Sequence, residues 1–305
     1  MSKRVIITGA TGWLGQEFLF RQFLKDGDRF IDNFILVGGT SRTIKLFDRF
    51  QVKVYSLEEI NNFDEIDGII HLAFVLRHRV NEFGVQEFLK LNEGISQKVA
   101  NIVNLLQPNW IVNVSSGAIF DRQTGEYAVV PKLNPYGFSK RQEEIVLTDA
   151  AMISNIPLVI GRLWGASGYK MPPNSAYALS DFVESALTKK QITINSDFEV
   201  FRRYCDAGEF LEVLVTEARA GNSLVINSGG PLHEIGEIAK MIADTIGDIA
   251  ITRPAIKNLE ADDYYPRESH YESLAAANKI GLATMREQVK RTIEGHVNFS
   301  KRFNG

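Results

Sequence analysis

Thr8-Gly9-Ala10-Thr11-Gly12-Trp13-Leu14-Gly15 is the stretch that decides the fold of this chain. It stands between a short apolar run, Arg4 to Thr8, and a segment from Gly12 to Lys25 with apolar residues at helical spacing. A Gly-x-x-Gly-x-x-Gly spacing at such a junction predicts a phosphate loop. Gly9 permits the tight turn, Gly12 lets the backbone approach a pyrophosphate, and Gly15 lets the helix pack closely on the sheet. The helix N-terminus then offers N–H groups and a partial positive charge to the phosphates. A glycine triplet alone also fits a plain tight turn; its place in the first strand–helix unit favours the phosphate loop.

Working outward, short β-rich runs alternate with helical patterns, which implies parallel βαβ units. Asn33 to Val37 reads as a second strand and Gln51 to Tyr55 as a weaker third. Asp67 to Leu72 reads as a fourth, Trp110 to Val114 as a fifth and Pro157 to Ile160 as a sixth. Helices are expected over Glu82 to Leu106, ended by Pro108, and over Pro135 to Ser154. After Gly165 the alternation stops. A loop, Gly168 to Ser175, is followed by a buried strand at Ser223 to Asn227 and amphipathic helices at Glu234 to Ile246 and Met285 to Phe299. The expected architecture is α/β: a doubly wound parallel sheet over residues 1–165, re-entered by 204–228. A smaller mixed α/β C-terminal domain is expected over 166–203 and 229–305.

The chain has 305 residues, of which 45% are hydrophobic and 23% charged, as in ordinary globular proteins. A net charge of -3 provides no global basic field, so no nucleic-acid partner is expected. The single cysteine, Cys205, excludes an intramolecular disulfide and fits a reducing, cytoplasmic location. The N-terminal apolar run is too short for a signal peptide or a membrane span, and no later stretch is long enough, so no membrane association is expected. No Cys/His cluster has metal-ligand spacing, so no metal is expected.

After the second strand comes Gly38-Gly39-Thr40-Ser41-Arg42, with no carboxylate. An acidic side chain there would bond a free ribose 2′-hydroxyl and repel a 2′-phosphate. Ser41 and Arg42 instead offer donors to a 2′-phosphate, which favours NADP over NAD; the alternative is that Arg42 is a solvated loop residue.

Asn134-Pro135-Tyr136-Gly137-Phe138-Ser139-Lys140 holds Tyr-x-x-x-Lys near a helix start. Residues four apart share a helix face, so both side chains reach one cleft. Free tyrosine has a pKa near ~10, and a nearby ammonium favours its phenolate. Lys140 is therefore expected to lower Tyr136; about three units would need roughly 4 kcal/mol, shared with a cofactor cation. Lys140 also suits the nicotinamide ribose. Upstream, Val114-Ser115-Ser116-Gly117 ends the fifth strand, where Ser116 is placed to position a substrate hydroxyl or carbonyl.

Together these segments resemble the extended short-chain dehydrogenase/reductase family, the NAD-dependent epimerase/dehydratase group that modifies nucleotide sugars. The resemblance spans nearly the whole chain and implies a Rossmann-type fold. His71-Leu72-Ala73-Phe74 resembles the family's His-Leu-Ala-Ala segment beside the cofactor, and Asn92 with Gly94 resembles its helix pattern. Ser116, Tyr136 and Lys140 match the catalytic set. Arg162-Leu163-Trp164-Gly165 and Asn227-Ser228-Gly229-Gly230 are similar to later family segments. Phe201-Arg202-Arg203-Tyr204-Cys205-Asp206 resembles the segment whose arginine binds the substrate diphosphate, a role the resemblance assigns to Arg202, with Arg267 as a looser second ligand. The implied cofactor-binding set is Gly9, Thr11, Gly12, Trp13, Leu14, Gly15, Thr40, Ser41, Arg42, Leu72, Ala73, Phe74, Asn92, Tyr136 and Lys140. Ser116, Gly117, Arg202 and Arg267 are the implied substrate contacts. The long helices 82–106 and 136–154 match a pair that often builds a dimer, so a homodimer is expected.

Departures narrow the activity. The family's 4,6-dehydratases place an Asp-Glu pair after the catalytic Ser/Thr, where this chain has Gly117 and Ala118, so dehydration is not expected. The third strand ends in Ser56-Leu57 where Asp-Leu is usual. The leading expectation is an NADPH-dependent 4-ketoreductase of a nucleoside-diphosphate deoxysugar. A nucleotide-sugar 4-epimerase uses the same residues. A non-enzymatic NADP-binding sensor on the same fold is the rival from another class, and such proteins usually lack the catalytic tyrosine.

Overall fold

The computed structural model describes residues 4–122, 124–173, 175, 177–257 and 260–303. Residues 1–3 of the N-terminal segment, 174 of the loop at 168–175, and 176, 258–259 and 304–305 of the C-terminal domain expectation lie outside them. The chain forms two compact units, Met1–Leu163 with Leu214–Ile226, and Trp164–Val213 with Asn227–Gly305.

The first unit begins with β1 (Arg4–Thr8), α1 (Trp13–Asp26), β2 (Phe34–Val37), β3 (Arg42–Leu46), β4 (Phe50–Tyr55) and β5 (Ile66–His71). It continues with α2 (Val80–Leu106), β6 (Trp110–Ser116), α3 (Pro135–Ser154) and β7 (Leu158–Leu163). In the second unit come β8 (Ala166–Ser167), α4 (Ala178–Lys189), β9 (Gln191–Thr193), β10 (Val200–Arg203) and β11 (Cys205–Asp206). Helix α5 (Ala207–Arg219) leads to β12 (Leu224–Asn227), and β13 (Leu232–Glu234), α6 (Ile235–Ile246) and β14 (Ala250–Thr252) follow. The last elements are β15 (Asp262–Asp263), α7 (Tyr271–Ala277) and α8 (Met285–Phe303).

The large sheet has the order β12-β7-β6-β5-β1-β2-β4-β3. Ladders β1–β2, β1–β5, β5–β6, β6–β7 and β2–β4 are parallel, and β3–β4 is antiparallel. Sequence reasoning missed β3, so Arg42 opens an edge strand instead of sitting in a loop. Strand β7 is buried throughout, β1 beyond Arg4 and β6 up to Ser115. Such continuous burial suits strands covered on both faces. Their side chains pack with Val99, Val103, Leu147 and Ala151 of α2 and α3 into one core. Strand order reverses at β1 and β5, so the crevice beyond their carboxyl ends is the place where an open α/β sheet receives a ligand.

The second unit holds a three-stranded sheet, β13-β10-β15, and the parallel pairs β8–β11 and β9–β14. Its core joins Leu179 and Val183 of α4 to Ile238 and Ile242 of α6 and Val289 of α8. Among the described residues no helix is long and apolar enough to cross a membrane.

Candidate functional site

The phosphate-loop geometry follows from its glycines. Gly9 has φ +68°, and a Cβ there would lie 2.7 Å from Ala73 N and from Leu72 C and O. At Gly15 a Cβ would lie 2.7 Å from Ala10 Cα and Gly9 O, so both positions exclude a side chain. Gly12 is exposed and begins α1 with no side-chain cap and no acid in the first turn. An anion can therefore approach the backbone at this helix end, which fits the pyrophosphate of a dinucleotide. Trp13 and Leu14 form the first turn and are half-buried.

Arg42 ties this loop to the end of β2. Its Nη2 donates to Thr11 Oγ1 at 3.5 Å, and Nη1 donates to Thr40 O at 3.2 Å and Thr40 Oγ1 at 3.1 Å. Ser41 Oγ accepts from Ser56 N at 3.0 Å. On the other side of β1, Thr8 Oγ1 accepts from Leu72 N at 3.2 Å and Ala73 N at 3.3 Å. Asn92 is buried and faces protein: Oδ1 accepts from Val75 N at 2.8 Å and Nδ2 donates to Phe88 O at 3.1 Å. It thus braces the segment after β5.

The second cluster is built by the start of α3. Asn134 caps the helix, accepting from Gly137 N at 2.9 Å through Oδ1, with Pro135 in the first turn. Its Nδ2 donates to Ala118 O at 2.8 Å, which fastens the helix to the turn after Ser116. A Cβ at Gly137 would stand 1.9 Å from Ala118 O, so only glycine permits this approach. Ser116 Oγ accepts from Ala118 N at 3.1 Å, and the Ser116 side chain is close enough to the Tyr136 hydroxyl to favour its ionised form. Ser116, Gly117 and Tyr136 are therefore brought together.

Lys140 is held among other partners in this cluster. Its Nζ donates to Glu143 Oε2 at 2.8 Å and to Val114 O at 2.9 Å, and lies 3.9 Å over the ring of Phe74. That ring meets Tyr136 at 84°, with centroids 5.5 Å apart. Burial pushes the Tyr136 pKa up to about 12; the Ser116 bond and the Arg77 charge oppose the rise, and the Glu143 charge adds to it. Glu143, missed in the sequence, is held ionised by Lys140 and His71, whose attraction outweighs the cost of burial. His71 Nε2 is 3.1 Å from Glu143 Oε1, and its Nδ1 is 2.6 Å from Thr8 Oγ1. With Thr8 donating to Nδ1, the partners assign the proton to Nε2. The signal for Glu143 was its spacing: Tyr136, Lys140, Glu143 and Leu147 recur along one helix face.

Within the second unit, Arg202 Nη2 donates to Asp262 Oδ2 at 2.7 Å, and Nη1 donates to Phe201 O and Asp262 O at 2.8 and 2.7 Å. Asp262 thus holds the arginine to which the resemblance assigns the substrate diphosphate. The Arg202 guanidinium lies 5.7 Å from the ring of Tyr264, which is 5.0 Å from that of Trp164. Arg203 Nη1 donates to Gly230 O at 2.8 Å, and Arg267 is exposed.

Comparison with known proteins bears on this arrangement. The model of the NAD dependent epimerase/dehydratase family matches residues 5–229. UDP-glucuronic acid decarboxylase 6 of Arabidopsis thaliana is 22% identical, over 91% of this chain and 83% of that protein. Among solved structures, UDP-N-acetylglucosamine 4-epimerase from Methanobrevibacter ruminantium M1, in complex with UDP-N-acetylmuramic acid, superposes with a TM-score of 0.76 at 17% identity, over 97% of this chain and 99% of that one. MoeE5 in complex with UDP-glucose and NAD gives 0.71 at 18%, over 99% and 100%. The glycine loop at the sheet's switch point, the Ser116–Tyr136 pair and a family model matching most of the chain lead to one conclusion: this protein belongs to the NAD-dependent epimerase/dehydratase family of extended short-chain dehydrogenases/reductases.

Proposed function

We propose that this protein is an NADPH-dependent 4-ketoreductase acting on a nucleoside-diphosphate deoxysugar. The observation that carries this reading is Ser116 beside Tyr136, with Gly117 and Ala118 following Ser116 where a dehydratase would need carboxylates. A phenol whose pKa burial raises to about 12 carries its proton at neutral pH. When bound, the nicotinamide supplies the hydride. Tyr136 gives its proton to the alkoxide oxygen that hydride addition creates, and Ser116 orients the carbonyl beside Gly117. Lys140 holds the nicotinamide ribose. Gly9, Thr11, Gly12, Trp13, Leu14 and Gly15 hold the pyrophosphate, and Leu72, Ala73 and Phe74 border the ring, braced by Asn92.

Arg42 supports the choice of NADP, since its exposed guanidinium stands beside Thr40 and Thr11 with no acid to repel a 2′-phosphate. Arg202, with Arg267, anchors the diphosphate, which competes with Asp262 for the guanidinium. The protein works as a homodimer in the cytoplasm; exposed Leu105 on α2 and Ile145, Met152 and Ile153 on α3 offer an apolar surface to the second copy.

Steady-state oxidation of NADPH by the purified protein with a nucleoside-diphosphate 4-keto sugar tests the reading. Net consumption of NADPH is expected. Epimerised product without consumption overturns it in favour of the second reading, a nucleotide-sugar 4-epimerase, which is supported by the likeness to a UDP-N-acetylglucosamine 4-epimerase.

A further inference from the structure

We propose that Glu143 is a positioning residue for Lys140: held by His71 and Thr8, it aims the ammonium so that the nicotinamide half of the dinucleotide is received at a fixed place relative to the phosphate loop. The inference rests on the reading above that Lys140 holds the nicotinamide ribose, and it leaves Tyr136 in the role given there.

A directed series of hydrogen bonds runs from the first strand to the ammonium through Thr8, His71, Glu143 and Lys140. Thr8 of β1 is the residue before Gly9. Its Oγ1 accepts from Leu72 N at 3.2 Å and Ala73 N at 3.3 Å, so its own hydrogen goes to His71 Nδ1, at 2.6 Å. The imidazole proton then sits on Nε2 and is donated to Glu143 Oε1 at 3.1 Å. Glu143 Oε2 accepts from Lys140 Nζ at 2.8 Å. The direction of every bond is set, and together they require two acceptor oxygens at position 143. A carboxylate has them, whereas an amide would turn its NH2 group on either Lys140 or His71.

Burial makes the arrangement stiff: Lys140 is 5% exposed, and Glu143 and His71 are 1% exposed. Burial works against the charge of Glu143, but the attraction of Lys140 and His71 outweighs it and keeps the carboxylate ionised. An ammonium has three N–H donors. One goes to Glu143 Oε2 and a second to Val114 O at 2.9 Å, with the Phe74 ring 3.9 Å away. Two fixed N–H directions fix the third, which is the one left for a ribose hydroxyl. Without Glu143 the ammonium keeps a single hydrogen-bonded anchor at the end of a flexible stem and loses its aim. The phosphate loop starts beside Thr8 and the series of bonds ends at Lys140, so the two places that receive the dinucleotide are held in one register.

The test compares whole and half cofactors in the full-length protein by isothermal titration calorimetry. NADPH is set against 2′,5′-ADP, which carries the adenosine phosphates without the nicotinamide or its ribose, and NADH against ADP. In Glu143→Gln, NADPH is expected to bind about tenfold more weakly, while 2′,5′-ADP changes by less than about twofold. Equal losses for the two ligands, or no loss for NADPH, overturn the proposal. Glu143→Asp keeps the buried charge but is one methylene too short to span from His71 to Lys140; it stands in where Glu143→Gln does not fold, and the same selective loss is expected. In Lys140→Met, a further Glu143→Gln should change NADPH affinity by less than about twofold, because no ammonium is left to aim. A further loss of about tenfold would show that Glu143 acts through the packing of α3 and not through Lys140, and also overturns the proposal. A parent protein that prefers NADH would change the cofactor of the proposed function while the NADH and ADP pair still tests Glu143, and no arm depends on a sugar being reduced.

Discussion

Arg162 and Glu144 form a buried bidentate pair: Nε donates to Oε1 at 2.9 Å and Nη2 to Oε2 at 2.8 Å. The pair fastens α3, the helix that carries Tyr136, to β7. Removing Arg162 leaves buried Glu144 with only the part-exposed Arg141, 3.0 Å away, which costs up to about 3–5 kcal/mol, whereas replacing both Arg162 and Glu144 with apolar residues of similar size costs less. Arg162→Met is therefore expected to lose stability in urea unfolding, and Arg162→Met/Glu144→Met to recover much of it. Equal midpoints for the two variants would show that the pair carries no such coupling.

The glycines of the phosphate loop separate folding from binding. Gly9→Ala forces a left-handed residue and pushes its Cβ into the Leu72–Ala73 peptide, so destabilisation of about 1–3 kcal/mol and loss of the NADPH-induced thermal shift are expected. At Gly12 a Cβ meets only Gly9 O, at 3.2 Å, and the residue is exposed. Gly12→Ala should unfold near the parent temperature yet shift much less with NADPH. Gly12→Ala as destabilising as Gly9→Ala would contradict this division.

Arg42 is expected to choose between the two nicotinamide dinucleotides. A hydrogen bond to a charged group contributes about 1.5–3 kcal/mol, so Arg42→Ala should weaken NADPH roughly 10- to 100-fold by fluorescence titration. NADH, which lacks the 2′-phosphate, should be affected little. Parallel losses for both would assign Arg42 to the loop's architecture through Thr11 and Thr40 instead.

His296 on α8 makes the second unit sensitive to acid. Burial lowers its pKa from 6.5 to about 4. As pH falls, the unfolded chain takes up the proton first, so stability is full above about pH 6.5 and is lost progressively toward pH 4, by up to about 3 kcal/mol. His296→Gln should flatten the fall in urea midpoint between pH 7 and pH 5. An unchanged slope would place the acid sensitivity elsewhere.

The parts of this fold written locally were legible in the sequence. Pro135 after Asn134 marked the start of α3, and the glycine spacing located the turn between β1 and α1. Strand β3 was not legible because it is an edge: of its five residues only Leu46 is buried. Its connection to β4 passes through Phe47 and Asp48 with φ of 53° and 57°, without the glycine that usually announces a hairpin. In the candidate site the Tyr136–Lys140 spacing was plain, but the groups that surround the pair were not. Glu143 and Glu144 were not singled out, because what marks them, their burial against His71 and Arg162, is brought about only by the folded sheet.

Net reduction of a sugar ketone by Tyr136 and NADPH is tested most directly by following the transferred hydrogen. The protein is incubated with NADPH deuterated at the transferring position and a nucleoside-diphosphate 4-keto sugar, and the product is read by mass spectrometry and NMR. One deuterium at the sugar 4-position is expected for each NADP formed, with the reaction abolished in Tyr136→Phe. An epimerised sugar free of deuterium, with NADPH unspent, would contradict it.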